Sequence, residues 1–314
     1  MAAYRTSLEP AAPSHVAWFA RATVCATFGL IIAGGLVTSR DAGLAVPDWP
    51  LSFGTLNPPN WWHIDNVRTE HGHRLIAGGV AILTLALTWV VRRSTASRPV
   101  QRLTMVAAGL VLFQALLGGL RVLHLSLDLA MVHALTAQLF LCVVVGVATL
   151  ASPAWPEAST EPCTARDVRR ALCLFALVLL QLAIGILVRH YGADVRPLLS
   201  SHLFQTHAVV ALVIAWLVSQ DRSVARATAR PGAARRASVL LYLLLIQLAL
   251  GLATFAVTDT MGYDRQATVA ESWIPTLHVA LGAGVLAMAA RSLLYSLAGS
   301  RITTWHGETA EVAR

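Results

Sequence analysis

The chain has 314 residues, 56% hydrophobic and only 13% charged, with a mean hydropathy of +0.63. A soluble domain carries about 25% charged residues, so the composition excludes a water-soluble fold. The net charge is +8, and all 24 basic residues are arginine. They sit in short connectors between apolar stretches and form no basic face interleaved with aromatics, which argues against a nucleic-acid partner.

In chain order, apolar stretches fall near 18–38, 72–91, 103–122, 130–150, 171–188, 203–219, 238–257 and 274–298. Each is long enough to cross hydrocarbon, which takes about 17 to 25 residues. A chain in lipid must satisfy its own backbone hydrogen bonds, so these stretches are helices. The expected fold is an all-α integral membrane protein of eight transmembrane helices. No cleavage signal follows the polar start of the chain, so the first span is expected to be retained. The four cysteines, Cys25, Cys142, Cys163 and Cys173, have no metal-like spacing and read as small packing residues.

Arginine placement sets the expected orientation. Seventeen of the 24 lie in the two tails and in the connectors after spans two, four and six, and six lie on the other side. Both termini are therefore expected in the cytoplasm and the protein in the cell's inner (plasma) membrane. The first outer connector, 39–70, is the longest and carries Trp49, Trp61 and Trp62.

Spans three, five and seven each carry Gln-x-x-x-Gly: Gln114 to Gly118, Gln181 to Gly185 and Gln247 to Gly251. Span one lacks the glutamine but has Gly34-Gly35 at a comparable place. Small residues there let helices approach closely. Spans one to four thus read as duplicated in five to eight. The expected architecture is two tandem four-helix bundles related by a pseudo-twofold axis along the membrane normal. The division is 1–152 for the N-terminal half, 153–170 for a cytoplasmic linker and 171–314 for the C-terminal half.

His73, His133, His207 and His278 each fall near the outer start of an even span. Two per half at matching depth suit haem iron held from facing helices; the bland alternative is interfacial histidines bonded to water. His71, His124 and His202 lie near the same surface as second-choice ligands. Glu70 precedes His73 by three residues, which on a helix shares its face; it reads either as a carboxylate beside a macrocycle or as a helix-terminal acid. Arg121 and Arg189 end odd spans near the histidine plane. They could pair with haem propionates or simply snorkel.

Gly34-Gly35-Leu36-Val37-Thr38-Ser39, Ala42-Gly43-Leu44-Ala45-Val46-Pro47-Asp48-Trp49-Pro50-Leu51 and Glu70-His71-Gly72-His73-Arg74, with the duplication and the four histidines, resemble the haem A synthase family. The resemblance implies a membrane oxidoreductase acting in cytochrome oxidase assembly. Such enzymes convert haem O to haem A by successive hydroxylation of a ring methyl and loss of water, leaving a formyl group. It implies a haem b (heme b) cofactor between His207 and His278, with Arg189 as a propionate partner. Haem O substrate would lie near His73, His133 and Arg121, and Glu70 would match the family's catalytic acid. An electron donor outside the chain is required, since no flavin or nicotinamide fingerprint is present. The haem O-forming prenyltransferase and oxidase assembly factors are further candidate partners, and oligomerisation is left open. Two departures stand out. The connector 39–70 lacks the cysteine pair of some family members, and the second-half connector, 189–202, lacks the Gly-Leu-Ala-x-Pro-Asp-x-Pro pattern. The competing reading is a di-haem electron-transfer protein without oxygenase activity, in which Glu70 would have no chemical task.

Overall fold

A computed structural model describes residues 12–155, 161–191, 197–258 and 267–312. It contains eight long helices: α1 (Ser14–Ser39), α2 (Asp65–Arg93), α3 (Arg98–Leu123), α4 (Leu127–Leu150), α5 (Ala165–His190), α6 (Pro197–Ala227), α7 (Pro231–Thr258) and α8 (Val269–Val312). All eight are long and apolar enough to cross a membrane, and no named strand occurs among the described residues. The chain is a multi-pass membrane protein. Its outer surface agrees: Ile82 and Leu252 are 71% and 73% exposed, an exposure that lipid tolerates.

The helices run past the apolar stretches that mark them, because polar residues remain helical above the hydrocarbon. The correction matters most at α2, which starts at Asp65. The first connector therefore shrinks to 40–64, and Glu70 and His71 lie inside the helix. Likewise α5 begins within the expected linker, at a reciprocal cap. There the Thr164 hydroxyl accepts from the Asp167 N–H at 3.3 Å, and the Asp167 carboxylate accepts from the Thr164 N–H at 2.9 Å. Arg5, Arg196, Arg265 and Arg314, which entered the charge count, lie outside the described residues.

Inside the helices, threonines dispose of their hydroxyls locally. Thr23, Thr27 and Thr84 donate to carbonyls one turn back, at 3.0, 2.7 and 2.7 Å, which satisfies these hydroxyls within their own helices. No disulfide joins any of the four cysteines.

Helices α1–α4 pack around one another, as do α5–α8; α8 also packs on α1 and α4, and α5 on α4. The reason lies in α8. Its Ala283 and Ala287 join a core with Ile31, Val80 and Leu141, while Val285, Leu286 and Ala289 join another with Leu174, Ile214 and Leu240. Small residues on one face let this helix press close to the first half while the other face serves the second.

Candidate functional site

The four in-register histidines occupy four equivalent places. His73 lies against Gly34, His133 against Gly118, His207 against Gly185 and His278 against Gly251. In each case a Cβ on the glycine would stand 2.9–3.3 Å from the imidazole Cε1, so any larger residue would push the ring aside. The glycine always belongs to an odd helix and the histidine to the next even one. The glutamines of the repeated motif complete the cradle. Gln181 donates to the His207 carbonyl at 2.8 Å and Gln247 to the His278 carbonyl at 3.0 Å. Gln114, with its amide turned so that its neighbours are satisfied, donates to His133 Nδ1 at 2.9 Å and to the His133 carbonyl at 3.3 Å. On α1 the corresponding position is Leu30.

The His207 and His278 rings face each other with centroids 6.3 Å apart and planes inclined by 65°. Imidazole nitrogens bind a metal at about 2 Å, so two rings on one ion have centres roughly 6 Å apart. The Nδ1 atoms of His73, His207 and His278 are buried without a hydrogen-bond partner. Buried polar atoms are nearly always paired, and orphans call for an explanation such as an absent ligand. Among the described residues no three His, Cys, Asp or Glu side chains converge to hold a bare ion. A metal here would need most of its coordination from elsewhere, as a macrocycle provides.

Glu70 is only 3% exposed, and both of its oxygens are engaged. One pairs with Arg74 at 2.6 Å, and the other accepts from the Val46 N–H at 2.9 Å. Arg74 in turn donates to the carbonyls of Val46, Asp48 and Leu51 at 2.9, 2.6 and 3.0 Å. The pair thus straps the first connector down onto α2, in the turn that carries His73. The helix-terminal acid of α2 is Asp65 instead.

Other groups hold the same connector. His71 Nδ1 meets the Ser52 hydroxyl at 2.9 Å and its ring stands edge-on to Trp61 at 4.8 Å. This second-choice ligand is therefore a fastening of the connector, while His124 and His202 are exposed at helix ends. Trp49 fills the space over Gly119, beside the glycine that receives His133; any side chain there would overlap its ring. Asp48 closes the turn by accepting from Phe53 and Gly54, both at 2.7 Å. The Gly54 N–H, helped by that of Phe53, holds the Asp48 carboxyl below its ordinary range. A depressed carboxylate contributes stability above its unfolded pKa and loses it as pH falls through the folded value. The turn is therefore fastened at neutral pH and loosened in acid.

Both expected arginines lie near the histidines, but their bonds go to the protein. Arg121 donates to the Gly43 carbonyl, tying α3 to the connector. Arg189 donates to the Gly35 carbonyl at 3.0 Å, Ser39 Oγ at 2.7 Å and the Pro275 carbonyl at 3.4 Å. It joins α5 to α1 and α8 at the seam between the halves, where Ser39 also meets Thr276 at 3.0 Å. Sequence reasoning missed the roles of Arg74 and Trp49: Arg74 stood out only within the segments that carried the resemblance, and Trp49 only there and in the tryptophan set of the first connector.

Residues 2–145 match the family model described as cytochrome oxidase assembly protein, COX15-CtaA. The N-terminal half of the chain is thus similar to this family. Its relatives include the "Heme A synthase" of Azorhizobium caulinodans, 39% identical over 153 residues, covering 43% of this chain and 43% of the relative. That of Lysinibacillus sphaericus is 35% identical over 111 residues, covering 35% and 36%. That of Brucella anthropi is 33% identical over 152 residues, covering 46% and 42%. The chain thus spans about two fifths of the length of these haem A synthases. The COX15-CtaA match takes in Glu70, His73, Arg121 and His133 and ends inside α4.

Proposed function

We propose that the protein is a haem A synthase-type membrane oxidoreductase, oxidising a ring methyl of haem O to the formyl of haem A for cytochrome oxidase. The recurrence of one glycine–histidine contact at four places carries this reading. It supports two haem-binding sites, built by an internal duplication whose copies are parallel about an axis along the membrane normal. The N-terminal half, 1–152, carries the family match and is read as the substrate side, with His73 and His133 taking haem O. The C-terminal half, 171–314, is read as the cofactor side, with His207 and His278 holding haem b. When bound, the haem supplies redox chemistry that no side chain can. The protein binds and orients the macrocycle through the cradled imidazoles. Trp49 and the strapped connector cover the N-terminal pair and keep water from it. Arg121 and Arg189 place positive charge near the histidine plane, where a propionate could compete for their present carbonyl partners. The oxidant and the electron donor come from outside the chain.

The test is chromatography of haems extracted from cells that make haem O. Haem A should appear only when the chain is expressed. Its absence, with b haem intact, would favour the electron-transfer reading. One observation lends weight to that second reading: Glu70 is fully engaged by Arg74 and Val46, so a structural task alone accounts for its presence.

We also infer that both termini are cytoplasmic, from the arginine asymmetry. Reporter fusions at Arg314 and near Arg98 should both read cytoplasmic. A periplasmic reading at either would invert the topology and move the histidines to the inner face.

A further inference from the structure

We propose that His73 is the exchangeable ligand of the N-terminal site, and that the identity of residue 30 sets this property. The inference rests on the reading of His73 and His133 as a haem-binding pair. Three of the four histidines are held twice from the preceding helix: a glycine receives the ring and a glutamine, one turn earlier, donates to the histidine's own carbonyl. His73 has the glycine, Gly34, but Leu30 stands where the glutamine would be. Among the described residues no side chain reaches the His73 carbonyl, and its Nδ1 is also unpartnered. A hydrocarbon side chain cannot replace the amide, so the second hold that the other three histidines receive is missing here; besides the Gly34 contact, the end of α1 reaches this stretch of α2 through Arg40, which donates to Thr69 at 3.3 Å.

That turn is held from the opposite direction. Arg74, the next residue, grips the connector through three carbonyls, and Glu70 grips it through Val46. Beyond the Gly34 contact and the Arg40–Thr69 bond, the His73 turn is therefore held by the connector, where its three counterparts are held by a glutamine of the preceding helix. Its partner His133 is anchored at both Nδ1 and the carbonyl by Gln114. Of the two ligands on that metal, the one that yields to an incoming small molecule is His73. The C-terminal site, with both histidines glutamine-bound, has no such weak partner. One site is built to open and the other to stay closed.

Carbon monoxide is the probe, since it binds ferrous haem only where a protein ligand yields. Full-length protein, loaded with both haems and reduced, should bind carbon monoxide at one haem and leave the other unreacted. Leu30→Gln should weaken that binding by about fivefold, the weight of one ordinary net hydrogen bond of about 1 kcal/mol. Its haem content should not change, which separates the effect from misfolding. Gln247→Leu, which removes the cradle of His278, should make the second haem reactive. Wild-type carbon monoxide affinity in Leu30→Gln, or an unreactive second haem in Gln247→Leu, would overturn the proposal while leaving the two-site reading in place. Undiminished haem content in both His73→Ala and His133→Ala would instead overturn the two-site reading, and the proposal with it.

Discussion

If His207 and His278 hold haem b as proposed, replacing either by alanine should leave the purified protein without low-spin b-type haem. The two rings face each other at 6.3 Å, and the Nδ1 of each is buried without a partner, while His278 Nε2 lies 3.3 Å from the Gln247 amide. Removing even an outer partner of a metal ligand typically costs about 10–100-fold in affinity, so loss of a ligand should cost at least as much. Each variant should fold, because alanine leaves the glutamine contact to the backbone carbonyl untouched. Optical and EPR spectra of the two variants, at matched protein concentration, decide the matter. Low-spin haem at the wild-type level in both would remove the assignment.

Glu70→Gln is expected to reduce haem A formation by an order of magnitude or more while sparing the C-terminal haem. Two causes could produce that loss. The carboxylate could stabilise charge or take a proton at the methyl being oxidised. Alternatively, its loss leaves the Arg74 guanidinium, 16% exposed, without its counter-charge. Breaking a buried pair in this way costs about 3–5 kcal/mol and would loosen the connector. The double variant Glu70→Gln/Arg74→Gln separates them, since it removes both charges together. If Glu70 serves only Arg74, the double variant should recover part of the activity lost in the single one. If Glu70 acts on the substrate, both should stay inactive, with a hydroxylated intermediate visible by chromatography. Wild-type haem A in Glu70→Gln itself would show that neither task is needed.

The spans were legible because burial in lipid demands long unbroken apolar runs, and their ends were not, because a helix continues into water without a hydropathy signal. Asp65 to Glu70 fell in the connector for that reason. The histidines and the Gln-x-x-x-Gly pattern were legible because a repeat places like residues at like depth. What stayed hidden was the strapping of the connector. The bonds from Arg74 to Val46, Asp48 and Leu51 end on carbonyls, and a backbone carbonyl looks the same in every residue. The same holds for Arg189 and the seam: its partners Gly35 and Pro275 accept through the main chain. Whether an arginine near a haem plane serves a propionate or a neighbouring helix cannot be read from its position in the chain.

Helix α8 contributes to both cores, Ala283 and Ala287 to one and Val285, Leu286 and Ala289 to the other. This limits how independent the two copies can now be. A polypeptide stopped at residue 152 would keep four helices and the family match, yet it would bare Ile31, Val80 and Leu141 where α8 now lies. The first four helices therefore need α8, or another apolar surface in its place, to cover that side of their core.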